Sequence, residues 1–147
     1  MPSNTSISKE KELLQWLNSN AQAFLDPNDK IEKVVFLTNT IKNDLNVSGL
    51  DITLDHRYEI QPKAVFTTLN DKGSRNLGII EISSTAIGLK DVGVLYAYAK
   101  MVVPKYALLL CEKSFSKELT YLLTNPKIGP RLMGYAVGKK LQLMDFV

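Results

Sequence analysis

The residues of this chain that could do chemistry are few, and most stand apart from one another. Glu81 is the odd one in placement. It lies inside "NLGIIEISS" (76–84), an otherwise apolar stretch with the character of a buried strand. A carboxylate there either reaches solvent or is held for a purpose, because an uncompensated buried charge is costly. His56 is the only histidine and Cys111 the only cysteine, so no multi-cysteine or multi-histidine zinc set exists. His56 falls on the apolar side of "DITLDHRYEI", where a hydrogen-bonded core histidine is expected. Cys111 ends the apolar run "YALLLC", which points to a packed thiol rather than a nucleophile. No Gly-x-Ser-x-Gly elbow seats a catalytic serine. "GSRNLG" lacks the Lys-Ser/Thr and the helix start of a phosphate-binding loop. Tyr96, Tyr98 and Tyr106, with Lys100 and Lys105 nearby, could stack on bases, although their spacing places some of them in a core.

Elements must position these groups. From Ser8, apolar residues Leu13, Leu14, Leu17, Ala21, Phe24 and Leu25 recur at helical spacing, with Glu10 and Glu12 expected in the first turn. "DPND" breaks the chain, and Asp29 with Glu32 resembles a capping box opening a second helix through Ile31, Val34, Val35, Ile41 and Leu45. Strict alternation over 51–60 then predicts a half-buried strand. "PKAVFTTL", begun by Pro62, and "NLGIIEISS" complete an antiparallel meander around the turn "NDKGSR". A helix over "STAIGLKDVGVLYAYAKMVV" ends at Pro104. "KYALLLCE" reads as a strand covered on both faces, and "SFSKELTYLLTN" as a helix stopped before Pro126. "NPKIGP" reads as a loop, followed by "LMGYAV" and a last strand "KLQLMDFV" around a Gly138–Lys139 turn. The order α-α-β-β-β-α-β-α-β predicts a mixed β-sheet flanked by α-helices, one α/β domain over 8–147 behind a polar, disordered 1–7.

Composition agrees with that class. The 147 residues are 45% hydrophobic and 22% charged, as in ordinary globular proteins, and suffice for one core without disulfides. The N-terminus has no signal-peptide pattern, and no apolar run approaches a bilayer span, so a soluble cytoplasmic chain without membrane association is expected. Residues 1–74 hold eight Lys/Arg against ten Asp/Glu, and 75–147 hold ten against five. The basic C-terminal half permits nucleic-acid binding without demanding it.

Residues 50–123 carry a longer pattern. "QPKAVF" opens one strand, "IIEIS" lies in the next, the helix "LKDVGVLYAYAK" follows, and the apolar strand "KYALLLCE" comes last. This succession resembles the restriction-endonuclease-like nuclease superfamily, known by its PD-(D/E)xK motif. The resemblance implies that fold, with Pro62 and Glu81 at motif positions. The motif is degenerate: Lys63 stands where the metal-binding Asp belongs, and Ser83 where the catalytic Lys belongs. The family's chemistry uses hard oxygen ligands to hold Mg²⁺, which activates water against a phosphodiester. One carboxylate beside an ammonium is a poor magnesium site.

Two expectations follow from the resemblance. In the first, Lys63 lies across from Glu81 and its ammonium replaces the metal, giving a noncatalytic nuclease-fold protein with no cofactor. Such a protein acts as an accessory or structural component in nucleic-acid metabolism, DNA repair or processing included. It binds DNA or RNA or docks on a partner protein, and could form a homodimer. In the second, Asp55 or Glu59 (or Asp71) supplies a displaced ligand, Lys90 the displaced lysine, and the chain is an active Mg-dependent endonuclease with Glu81 on the metal. An unrelated α/β interaction module, in which Glu81 simply reaches solvent, is the remaining alternative. Expected phosphate contacts are Lys72 and Arg75 in the turn and Lys100 and Lys105 near the helix end.

Overall fold

A computed structural model describes residues 4–38, 60–84, 86–113 and 115–146. The chain divides between Gly78 and Ile79 into two compact units.

The first unit begins with α1 (Asn4–Ser19), which buries Leu13, Trp16 and Leu17. It starts four residues before the expected Ser8, so Glu10 and Glu12 lie past its first turn. The Asn20 side-chain amide and backbone N–H both donate to the Trp16 carbonyl, at 2.9 and 3.0 Å, closing the helix before the short α2 (Ala21–Phe24). The chain then forms β1 (Asp29–Phe36), not the second helix that the spacing of Ile31, Val34 and Val35 predicts. The reason is a β-bulge. β1 pairs antiparallel with β2 (Ala64–Asn70) from Asp29↔Asn70 to Phe36↔Ala64, with a register shift between Ile31 and Lys33. The inserted residue stretches the apolar period from two to three, which imitates a helix. Asp29 is accordingly a buried strand residue rather than a helix cap. α1 packs on β1, and the Phe36 N–H donates to Glu10 Oε1 at 3.1 Å.

β2 is buried continuously from Ala64 to Thr68, as a strand covered on both faces must be. Its turn is built on Asn70, whose Oδ1 accepts the N–H groups of Lys72 and Ser74 at 2.9 and 2.8 Å, with Gly73 at φ 78°. β3 (Arg75–Ser83) returns beside β2. Phe66 covers Gly78 and meets Phe24 edge-on, with ring centroids 6.2 Å apart.

The second unit takes up β3 at Ile79 and Ile80, both fully buried. α3 (Leu89–Val102) follows, burying Val92, Leu95 and Ala99, and its Asp91 carboxylate accepts the Gly88 N–H at 2.9 Å. It ends on Val103 in the left-handed region (φ 49°) before Pro104. β4 (Tyr106–Cys111) is buried throughout and carries α3 against it. α4 (Lys117–Thr124) is capped by Ser116 Oγ, which accepts the Leu119 N–H at 3.0 Å. Where a loop is expected, Ile128–Met133 forms α5, and Pro130 is tolerated because it lies in the first turn. A small hairpin, β5 (Gly134–Ala136) and β6 (Lys139–Lys140), turns at Gly138 with φ 70°. β7 (Gln142–Asp145) then pairs parallel with β4, Leu108↔Gln142 to Cys111↔Asp145.

The main sheet runs β1-β2-β3-β4-β7, antiparallel at β1/β2 and parallel at β4/β7. A mixed α/β sheet with helices packed on it is therefore present. The expected strand over 51–59, with His56, and the positions Ile41 and Leu45 lie outside the described residues. Among the described residues, no helix is long and apolar enough to cross a membrane.

Candidate functional site

In sheets of this class, ligands collect where parallel strands end, because loops and helix starts converge there. In the second unit the Glu112 N–H donates to the Ser83 carbonyl at 3.1 Å, and the Phe146 N–H to the Cys111 carbonyl at 2.8 Å. These bonds draw the carboxyl ends of β3, β4 and β7 together. Glu81 and Ser83, two residues apart, share one face of β3 there. β3 is fully buried at Ile79 and Ile80 and half-buried from Glu81 to Ser83. The strand thus leaves the core at the carboxylate, which accounts for an acid inside an apolar run without requiring its full desolvation.

Of the other motif positions, Lys63 is exposed just before β2, and its carbonyl accepts the Leu37 N–H at 3.1 Å, while Pro62 beside it is buried. Lys90 is exposed in the first turn of α3. Asp55 and Glu59 lie outside the described residues, and Asp71 is exposed in the β2–β3 turn. Among the described residues no three His, Cys, Asp or Glu side chains form a metal-binding group.

The expected phosphate contacts are also distinguishable. Lys72 is exposed in the turn. Arg75 forks onto Glu32: Nε donates to Oε2 and Nη2 to Oε1, both at 2.7 Å, and Thr67 Oγ1 adds a bond to Oε2 at 3.1 Å. Those bonds from Arg75 hold the Glu32 carboxyl below its ordinary value. Lys100 Nζ lies 5.6 Å from the Tyr96 ring centroid, and Lys105 Nζ 5.7 Å from that of Tyr106, within cation–π range. Tyr106 is buried and belongs to the core.

The second unit also carries a local excess of positive charge along its sequence. From Lys113 to Lys140 six Lys/Arg residues stand against Glu118 alone. The same segment exposes Tyr121 at 70% and Val137 completely. The half-chain charge count contains this excess: Lys113 precedes α4, Lys117 lies on it, Lys127 caps α5, Arg131 lies on α5, and Lys139 and Lys140 form β6. No family model matches this chain, and neither curated proteins nor solved structures provide a match.

Proposed function

We propose that this chain is a noncatalytic nucleic-acid-binding protein of the restriction-endonuclease-like type, an accessory component rather than a nuclease. The observation that carries the binding is the charge of the segment between Lys113 and Lys140, six cations to one acid, on structured and largely exposed elements. A polyanion gains there by releasing counterions. The nuclease-like ancestry is supported by the succession strand, Glu81-bearing strand, helix and buried strand over β2, β3, α3 and β4. Loss of catalysis is supported by the motif itself, in which Lys63 and Ser83 replace an acid and a lysine.

The test is retention of the full chain on labelled DNA and RNA across a salt series, with cleavage followed in Mg²⁺ and Mn²⁺. Binding that weakens steeply with salt, without cleavage, is the expected result. No binding at low salt overturns the proposal in favour of a protein-interaction module. Metal-dependent cleavage abolished in Glu81→Gln replaces it with the active-endonuclease reading.

A further inference from the structure

The α4–α5 elbow is unusually well fixed for two short helices. Asn125 Oδ1 accepts the N–H groups of Lys127 and Ile128 at 2.9 and 3.1 Å, and the Gly129 N–H donates to the Asn125 carbonyl at 2.9 Å. Gly129 passes so close to α4 that a Cβ there would lie 2.6 Å from the Leu123 carbonyl oxygen. The elbow therefore fixes the backbone from which its surface side chains project.

On α4, Leu119 is the buried position, so residues two away on either side turn outward. Those residues are Lys117 and Tyr121, which are one helical turn apart and both exposed. On α5 the buried position is Gly129, while Lys127, its N-cap, and Arg131 are both exposed. Tyr121 is 70% exposed. A large, exposed aromatic ring on a segment that also carries Lys117, Lys127 and Arg131 has the composition of a single-strand binder's stacking platform, where every base offers a face to the ring. A duplex hides those faces except at its ends, whereas an unpaired strand exposes them.

We infer that the α4–α5 elbow is a binding site for single-stranded nucleic acid, with an unpaired base stacked on Tyr121 and neighbouring phosphates held by Lys117, Lys127 and Arg131. This rests on the nucleic-acid-binding reading above and assigns it a site and a strand preference. The motif-derived contacts Lys72, Arg75, Lys100 and Lys105 are not part of it.

Fluorescence anisotropy with a labelled polythymidine strand and a duplex of the same length tests it, using wild type, Tyr121→Ala, Tyr121→Phe and the paired change Lys117→Ala/Arg131→Ala. Circular dichroism establishes that each variant is folded, which is expected because all three positions are exposed. Single strand is expected to bind more tightly than duplex. Tyr121→Ala should weaken single-strand binding on the order of 10-fold, and Tyr121→Phe should retain it. The double lysine–arginine change should lower the salt slope by about 1.4, at about 0.7 per lost phosphate contact. Binding that is unchanged in Tyr121→Ala, or stronger on duplex, overturns the assignment while leaving the chain a nucleic-acid binder. No binding of either probe by wild type removes the nucleic-acid reading together with the site.

Discussion

Arg75, at the start of β3, grips Glu32, at the bulge of β1, with two hydrogen bonds of 2.7 Å. The side chains are 33% and 31% exposed, so solvent screens the pair. Its fork geometry places it toward the upper end of surface pairs, about 1 kcal/mol. Glu32→Gln and Arg75→Ala should each destabilise the fold by about that amount in urea melts, with a double-mutant cycle recovering the coupling. Arg75→Lys should not rescue, since an ammonium cannot present the planar fork.

The same pair sets one acid limit. Glu32 titrates below the ordinary 4.5 because Arg75 stabilises the carboxylate. Its contribution is thus present above 4.5 and disappears as pH falls through the lowered value, where the folded carboxylate finally takes a proton. Stability measured from pH 7 to 2 should lose part of its acid slope in Glu32→Gln. An unchanged slope would show that the fork does not persist in solution.

Gly78 is the tightest point described in β3. A Cβ built on it would lie 2.2 Å from the Phe66 ring, which is fully buried. Gly78→Ala must push that ring off its place, at a cost of about 1–3 kcal/mol for overpacking. Adding Phe66→Leu should recover part of the loss, although Phe66→Leu alone destabilises by leaving space. Thermal melts of the three variants measure this non-additivity, and simple additivity would mean that the strand shifts rather than the ring.

What could be read from the sequence follows from where the determining contacts lie. β4 is legible because "YALLLC" needs no partner to identify it, and α3 because Val92, Leu95 and Ala99 repeat along one helix face. β1 is hidden because its bulge is a property of its pairing with β2, absent from the strand's own letters. α5 is hidden because Pro126, Gly129 and Pro130 advertise a loop, whereas the helix depends on the Asn125 bonds and on Gly129 packing at Leu123. The Glu32–Arg75 fork joins residues 43 apart, and nothing local announces it. Glu81 stood out in the sequence, but its half-buried setting depends on where β3 leaves the core.

Tyr135 ties the β5–β6 hairpin to the end of α3, its hydroxyl donating to the Pro104 carbonyl at 2.8 Å in a buried setting. Burial pushes the phenol up to about 12, because the phenolate would lose its hydration. A raised value stabilises the fold below about 10, the ordinary phenol value, and that stability is lost as pH rises toward 12. Absorbance titration should show one of the six tyrosines ionising late, together with unfolding. Tyr135→Phe should remove that late step and cost about 1–2 kcal/mol at neutral pH by leaving the Pro104 carbonyl unpaired.

The motif positions make a stricter demand, one that concerns gain rather than loss. A single carboxylate at Glu81, with lysine at 63 and serine at 83, should give no Mn²⁺ binding tighter than millimolar by isothermal titration. If the resemblance matches the right residues, restoring the family's letters with Lys63→Asp and Ser83→Lys should create binding below millimolar. That binding should vanish again when Glu81→Gln is added. Mn²⁺ should also raise the melting temperature of the restored variant by mass action. Wild-type binding tighter than millimolar that depends on Glu81 would reverse the argument, since the chain would then hold its metal with other acids. Failure of the restored variant to bind, with the fold intact, would mean that Pro62, Glu81 and the strands around them are aligned to the wrong motif.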